Sequence, residues 1–575
     1  MNMAARLLPS LLRALVRSSV MAKILVWAVS IATEIWLSVT ALGYTGALID
    51  ALAGHDGARF QHTLWKLLLV ALVHALLIAA NLYLNDRVAM EARSSLVDGW
   101  LPRWLDGEVL YRIEREHALD NPDQRIAEDL KLFVDKTLAL GSGFYVMLLG
   151  VGTYATLLWE QGGAFGFTLG GRALAIPGYL FWMALVFACV GTVLSRWIGK
   201  PLVNLTMRQQ RVEADFRFGL IQAREHAEQV ALWRGGEAEY ERATGRFEQI
   251  RRNWWRLAFF QVRLQVATLG FTMLPMYCGY LLMAPKVLDG AMTVGAMTML
   301  SAAFGSTVTR LNWPSMVWGE VVQWMAAVKR LGEMDGAIAE PASRADPRAE
   351  IRVLRSGAAA VTVQRLALCL PDGTALTGIA ELQLRPGERW LLRGPSGVGK
   401  STLLRALAGL WPHGRGTIGM PAQGVMFVPQ KDYLPWGTLK AALAYPQRPE
   451  AYGDEACRQA LIDVRLPQWV DRLHERERWS LQLSPGEQQR LAFARVLLAR
   501  PAFLFLDEST SALDLDTERH LYQLLLKRLP LAALVSVAHR STLDAFHDHR
   551  LLLASARPAA ADDAPLPHQP WMQNA

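Results

Sequence analysis

The hydrophobic pattern divides the chain into a long apolar half and a shorter alternating half. Spanning the hydrocarbon core of a bilayer takes about 20 mostly apolar residues as a helix. Six segments reach that length: 22–47, 62–85, 137–159, 174–198, 256–284 and 291–313. The last runs on as a helical pattern towards Leu331. The connecting stretches 86–136 and 199–253 keep helical periodicity, so the spanning helices are expected to continue beyond the membrane. Within 227–236, Gly235 and Gly236 predict a bend between long helices. Residues 335–350 turn polar and lose the pattern, as a linker does. From 351 to 553, β-rich runs alternate with helical ones, the pattern of an α/β domain. The tail 554–575 is rich in Ala, Pro and Asp and reads as disordered. The expected fold class is therefore a multi-domain membrane protein: an all-α, six-helix transmembrane domain over 22–334, then a cytosolic α/β domain over 351–553.

Charge orients the apolar half. The 86–136 stretch carries eight basic residues, among them Arg87, Arg93 and Lys136, and 199–253 carries ten, among them Arg208, Arg211 and Arg252. The opposite loops offer little more than Arg59, Arg172 and Lys286. Positive residues stay inside, so both long stretches and both termini are expected to be cytoplasmic. Residues 1–21 contain Arg6, Arg13 and Arg17 and no short apolar core with a cleavage site. They read as an amphipathic helix along the inner membrane surface, without a cleavable signal peptide. The same rule accounts for the net charge of +8 without a nucleic-acid partner. Cys189, Cys278, Cys369 and Cys457 are scattered, with no metal-ligand spacing, and read as free thiols.

The chemistry lies in the alternating half. Trp390–Arg393 reads as a buried strand, followed by Gly394-Pro395-Ser396-Gly397-Val398-Gly399-Lys400-Ser401 and a helical run from Thr402. Glycines let backbone N–H groups turn inward around phosphates, and the helix N-terminus adds partial positive charge. In this pattern Lys400 reaches the β- and γ-phosphates and the Ser401 hydroxyl binds Mg²⁺. Further on, Phe503–Leu506 is a short apolar strand ending in Asp507 and Glu508. Asp507 is placed to hold Mg²⁺ and Glu508 to polarise an attacking water.

Val428-Pro429-Gln430, Leu483-Ser484-Pro485-Gly486-Glu487-Gln488-Gln489-Arg490 and Val537-Ala538-His539 complete a set of five motifs. With this set in order, residues 351–553 resemble the ATP-binding domain of ABC transporters. The resemblance implies an exporter-type fold in which two such domains sandwich two ATPs. Each ATP would lie between one domain's phosphate loop and the other's signature. It further implies that Gln430 senses Mg²⁺, that His539 contacts the γ-phosphate, and that Ser511–Asp514 forms a dimer-contact loop. The signature reads Leu-Ser-Pro-Gly-Glu rather than Leu-Ser-Gly-Gly-Gln. Ser484, Pro485 and Glu487 still supply an N-cap, a first-turn proline and a capping-box acid. Proline removes one N–H, leaving the Ser484 hydroxyl and the Gly486 N–H for phosphate. The adenine-stacking aromatic usual in the family has no counterpart near Cys369-Leu370-Pro371, where Leu370 offers only apolar contact.

A finer resemblance rests on Leu119–Asp129, Glu213–Phe218, Ala227–Gly236 and Gly409-Leu-Trp-Pro412. Together these are similar to the group joining peroxisomal fatty-acyl ABC transporters to bacterial SbmA/BacA-like ABC proteins. Ile176–Trp182 favours the bacterial branch. The resemblance implies a homodimer in a bacterial inner membrane, driven by ATP, importing a bulky hydrophilic solute such as a corrinoid or antimicrobial peptide. The other branch implies export of fatty-acyl or lipid-like cargo. An ATP-gated regulator without vectorial transport is a third reading, and Glu508 and His539 argue against it. The six apolar segments exclude a soluble ABC ATPase acting on nucleic acid. Asp120, Asp123, Glu128 and Asp129 either contact the nucleotide domain or cap a helix end. In the membrane half, Glu34 and His74 either face an aqueous cargo path or make helix–helix hydrogen bonds. Arg263, Arg310 and Glu320 are expected near or beyond the inner boundary, where charge costs little.

Overall fold

The computed structural model describes residues 18–116, 119–169, 172–339, 351–357 and 359–554. The amphipathic reading of residues 1–17, the linker 340–350 and the tail 555–575 lie outside the described residues. The chain forms two compact units, one of residues 1–105 and 118–339, the other of 106–117 and 340–575.

The first unit is built from long helices: Ser18–Ala53, Gly57–Trp104, Leu130–Gly162, Tyr179–Glu225 and Gly236–Leu288. Among the described residues, five helices are long and apolar enough to cross a membrane. Their apolar side chains face outward rather than into a core; Trp65 is 72% and Leu76 62% exposed. Such surface is stable only against another apolar medium, which is what a bilayer supplies. At the turn between the first two helices Asp56 is the N-cap, accepting from the Arg59 N–H at 3.0 Å.

The sixth apolar segment departs from the expected continuous helix. It forms Val294–Leu311, is interrupted by a short turn at Trp313–Met316 that contains Pro314, and resumes as Trp318–Ala339. Its 18 residues extend about 27 Å. Residues 335–339, read as the start of the linker, are the last turn of Trp318–Ala339. The fourth segment also starts later than expected. Residues 174–177 belong to an antiparallel hairpin, β1 (Ala164–Leu169) and β2 (Arg172–Pro177), and the helix begins at Tyr179. The bend at 227–236 is present: a short helix Ala227–Leu232, then Arg234 with φ 51° before Gly236 restarts the chain.

Close approaches fix the bundle. Asp50 accepts the Gly295 N–H at 2.7 Å and the Thr293 hydroxyl at 2.9 Å, clamping the start of Val294–Leu311 to Ser18–Ala53. A Cβ at Gly295 would lie 2.0 Å from the Gly46 carbonyl oxygen, so only glycine permits this crossing. Below the spans, Asp129 takes both Nε and Nη2 of Arg330 at 2.7 and 2.5 Å, and Arg125 reaches the Arg330 carbonyl and Glu333. Asp129 thus binds the continuation of its own bundle. Arg310 lies in the last turn of Val294–Leu311. Its guanidinium stacks 4.5 Å over the Tyr154 ring, eight residues inside the end of Leu130–Gly162.

The second unit has a mixed sheet and a parallel one. Strands β3 (Ile351–Ser356), β4 (Val361–Cys369), β5 (Ala375–Leu384) and β7 (Gly414–Pro421) form a four-stranded sheet in the order β3-β7-β4-β5, antiparallel except for β3 with β7. Strands β6 (Arg389–Arg393), β8 (Val425–Val428), β11 (Phe503–Asp507), β12 (Ala533–Val537) and β13 (His549–Leu552) form a parallel sheet in the order β13-β6-β12-β11-β8. A small pair, β9 (Gly437–Thr438) and β10 (Arg476–Glu477), lies apart. Residues Phe503–Leu506 and Ala533–Val537 are buried throughout, as near-continuous apolar strands of a parallel sheet are.

Candidate nucleotide site

Parallel pairing brings the carboxyl ends of β6, β8, β11 and β12 to one edge, the place where open α/β sheets carry ligands. The loop after β6 turns through Gly394, Gly397 and Gly399 with φ of 155°, 80° and 102°. A Cβ at Gly394 would lie 2.5 Å from the Leu553 carbonyl oxygen, so the tight turn requires glycine there. Gly399 is flanked by Leu376 and Thr377 of β5. Val398 is buried, while Pro395, Ser396 and Gly397 form the open lip. Lys400 begins the Lys400–Leu407 helix, and its ammonium donates to the Gly394 and Pro395 carbonyls at 2.9 and 3.1 Å. The lysine is buried and is held over the loop by carbonyl oxygens, a cation poised for an anionic ligand. Thr402 follows in the first turn.

The Ser401 hydroxyl donates to Asp507 Oδ1 at 3.0 Å. Burial raises the Asp507 carboxyl above its ordinary value, and the charge of Glu508 adds to this while the Ser401 hydrogen bond opposes it. A carboxylate destabilised in this way, beside a hydroxyl, suits a hard divalent cation bound through oxygen. Glu508 has φ 48°, a conformation that costs a non-glycine residue about 1 kcal/mol or more. The turn aims its carboxylate at two partners: Gln430 Nε2 at 3.1 Å and His539 Nε2 at 3.2 Å. Ser509 secures the same turn by donating to the Val428 carbonyl at 3.1 Å. Six residues predicted from separate motifs, Lys400, Ser401, Gln430, Asp507, Glu508 and His539, thus meet at one sheet edge.

The signature forms a second cluster. Ser484 caps Pro485–Ala499 in a full capping box: Glu487 N–H donates to Ser484 Oγ at 3.3 Å, and Ser484 N–H donates to Glu487 Oε2 at 2.9 Å. Glu487 also accepts from Gln468 and the Trp469 indole, at 2.9 and 3.0 Å. Burial would raise its carboxyl, but the Ser484 N–H and these side-chain donors outweigh it and hold the group low. Gly486 lies under the Ala512 carbonyl. Asp514 caps Leu515–Arg528 through the Thr517 N–H at 2.9 Å.

Three residues outside the sequence prediction organise these clusters. Gln489 donates to Ser511 Oγ at 3.1 Å and accepts the Ala512 N–H at 2.9 Å, tying the signature helix to the 511–514 loop. Arg540 donates to the Leu513 and Ser511 carbonyls at 2.7 and 3.1 Å, joining that loop to the residue beside His539. Buried Glu518 accepts from Thr510 and Thr542 at 2.6 and 2.7 Å. Gln489 lies within the signature motif, though no role was assigned to it, and Arg540 follows His539; Glu518 has no local signal. Leu370 is partly buried against the core of the strand layer, and its carbonyl accepts the Gly373 N–H at 2.9 Å in a tight turn.

In the membrane unit, Asn81 Nδ2 donates to Glu34 Oε2 at 2.7 Å, and His74 Nε2 lies 4.0 Å from Glu34 Oε1. The two ionisable residues predicted for the cargo path are therefore neighbours, with Asn81 bonded to the carboxylate of Glu34.

The comparisons with known proteins fit this geometry. Residues 7–288 match the family described as ABC transporter transmembrane region 2, and residues 378–511 match the ABC transporter family. An uncharacterized ABC transporter ATP-binding protein of Synechocystis sp. is 33% identical over 88% of this chain and 76% of its own length. The inner membrane ABC transporter ATP-binding protein YddA of Escherichia coli is 30% identical over 88% of each chain. The human lysosomal cobalamin transporter ABCD4 is 27% identical over 75% of this chain and 74% of its own. Among solved structures, a bacterial Atm1-family ABC exporter with ATP bound superposes with a TM-score of 0.69 over 93% of this chain and 94% of that one, at 20% identity. The identity to the Synechocystis protein over most of both chains, with the family matches in the membrane unit and at the motif-bearing sheet edge, makes this chain a half-transporter of the ABC transporter family.

Proposed function

We propose that two copies of this chain form an ATP-driven transporter of the inner membrane, with both termini cytoplasmic. The observation that carries the reading is the convergence of Gln430 and His539 on Glu508, beside the Ser401–Asp507 pair. Gly394–Ser401 bind the phosphates through backbone N–H groups, with Lys400 on the β- and γ-phosphates. Ser401, Gln430 and Asp507 hold Mg²⁺, which neutralises phosphate charge when bound. Glu508 orients the attacking water and His539 contacts the γ-phosphate. Ser484, Gly486 and Glu487 of one copy, with Asp514, close on the ATP of the other, so hydrolysis needs a homodimer. Leu370 gives the base an apolar contact. The boundaries that follow are a membrane domain over 22–334, a linker over 335–350 shortened by the helix to Ala339, and an ATP-binding domain over 351–553.

The cargo is a bulky hydrophilic solute or peptide, taken up from outside. Support comes from the Glu34–Asn81–His74 group, since ionisable side chains at membrane depth usually face a cavity or a partner. ABCD4, a relative at 27% identity, carries the name of a cobalamin transporter. A second reading, movement of acyl or lipid-like cargo, is favoured by a groove of about 390 Å³ along the interrupted sixth segment, lined by Thr137, Trp313, Trp318 and Trp324 among others and almost wholly apolar. The test is ATP-dependent accumulation in sealed vesicles of both orientations, with cobalamin, peptide and acyl probes. Uptake of a hydrophilic probe into right-side-out vesicles supports import. Movement of the acyl probe alone transfers the assignment to the second reading.

A further inference from the structure

Arg310 occupies an uncommon position. It lies in the Val294–Leu311 helix, and its side chain reaches back to the neighbouring Leu130–Gly162 helix. There the guanidinium covers Gly150 so closely that a Cβ on that glycine would lie 2.1 Å from Nε. Its flat face rests 4.5 Å from the Tyr154 ring centroid. Gly150 and Tyr154 are 12 and 8 residues before Gly162, so about 18 and 12 Å from that end of the helix. Against a hydrocarbon thickness of about 30 Å, this sets the cation well inside the bilayer.

The surroundings do not neutralise it. No carboxylate among the described residues pairs with Arg310. Its Nε is buried and has no hydrogen-bond partner, and Nη1 makes only a 3.5 Å contact with the Ser306 carbonyl. Glu34 is committed to Asn81 and His74. The Tyr154 ring itself is anchored, because its hydroxyl shares a 2.7 Å hydrogen bond with Ser38. Asn312, two residues on, is held by the Thr192 hydroxyl at 3.1 Å. A structural arginine at this depth ordinarily has an acid or several carbonyls around it. Here the side chain instead packs against Gly150 and Tyr154, and Nη2 has no hydrogen-bond partner among the described residues, which leaves it for an incoming group.

We propose that Arg310, cradled by Gly150 and Tyr154, is an intramembrane binding site for an anionic group, a carboxylate or a phosphate. The fork of the guanidinium suits either in a bidentate arrangement. The anion is carried by a soluble cargo or by a lipid headgroup. The inference rests on the reading of the first unit as membrane-spanning, and deepens the transport reading by requiring one negative group on whatever Arg310 holds.

The test is arginine-specific modification of the full-length protein by phenylglyoxal, read at Arg310 by peptide mass. It is done in phosphatidylcholine vesicles alone, with added inorganic phosphate or citrate, and with phosphatidylglycerol replacing part of the lipid. Slowing of about tenfold at Arg310, corresponding to about 1.4 kcal/mol, with Arg196 unaffected, establishes the site. Protection by phosphate or citrate assigns a soluble source, and protection by phosphatidylglycerol alone assigns a lipid. Arg310 that reacts equally in all arms, or not at all, overturns the proposal. Arg310→Lys provides a second reading: binding of radiolabelled phosphate or citrate, or of phosphatidylglycerol, should be weakened but present, and lost in Arg310→Gln. Binding unchanged in Arg310→Gln also overturns it. These measurements need no transport, so vesicles that accumulate no cargo while Arg310 is protected would count against the transport reading and leave the anion site standing.

Discussion

The Arg115 guanidinium lies 5.2 Å over the Trp411 ring and donates to the Leu410 carbonyl at 3.4 Å. Trp411 follows the phosphate-loop helix, and its indole donates to the Cys369 carbonyl at 3.0 Å. Arg115 ends the short helix Gly107–Arg115, which is continuous in sequence with the membrane-spanning Gly57–Trp104 yet clusters with the ATP-binding unit. The same arginine pushes the His413 imidazole down, after burial as the larger cause. The short helix Gly107–Arg115 therefore ends on the residues next to the nucleotide loop.

Arg115→Ala should leave basal ATP turnover near wild type while lowering cargo moved per ATP. Loss of a cation–π contact worth about 0.5–1 kcal/mol is too small to unfold the domain. Parallel measurement of phosphate release and uptake in vesicles checks this. Equal cargo per ATP in both proteins would remove Arg115 from the coupling path.

Asp432 yields a pH prediction. Burial lifts its carboxyl to about 6, against the opposing pull of Arg495. The folded state thus prefers the protonated acid, so burial costs nothing below the unfolded value near 4 and its cost grows as pH rises through 6. Asp432→Asn should raise stability by about 3 kcal/mol at pH 8 and leave it unchanged at pH 4. Denaturant titrations of the full chain at the two pH values check the sign. Equal gains at both would locate the effect in packing.

Gly295→Ala should destabilise the membrane unit by about 1–3 kcal/mol, because the new methyl meets both the Gly46 carbonyl and the Asp50 carboxylate that clamps this crossing. A lower thermal midpoint in detergent, with ATP affinity retained, is the expected result. Gly152→Ala, where nothing lies within 4 Å, serves as the silent comparison.

Glu34→Gln should impair uptake without changing basal ATP turnover if Glu34 faces the cargo path. The Asn81 amide can still donate to the glutamine oxygen, so the helix pair survives. Wild-type uptake would assign Glu34 to helix packing alone.

The nucleotide site was legible because its chemistry is local: each of Lys400, Gln430, Asp507, Glu508 and His539 sits in a short motif at a strand end. Parallel pairing then does the gathering, and parallel order follows from the alternation of strand and helix. What the sequence did not expose depends on distant partners. Gln489 and Arg540 act through the 511–514 loop, and Glu518 through Thr510 and Thr542, with no spacing rule linking them. The membrane half was legible in its apolar lengths but not in its breaks. Pro314 interrupts the sixth segment, and the hairpin at 164–177 shortens the fourth. The partner of Arg310 was not legible either, since hydropathy reads only a charge near a segment end, whereas its side chain lies over Tyr154 of a neighbouring helix.

The claim that ATP turnover at this sheet edge drives the transporter is tested most directly by Glu508→Gln in sealed vesicles. Its carboxylate is the point where Gln430 and His539 meet. Removing a positioned general base typically lowers a rate by about 10²–10⁴-fold. The account predicts that ATP still binds, that phosphate release falls by that order, and that ATP-driven cargo movement stops with it. Phosphate release at the wild-type rate from the Glu508→Gln protein would contradict it.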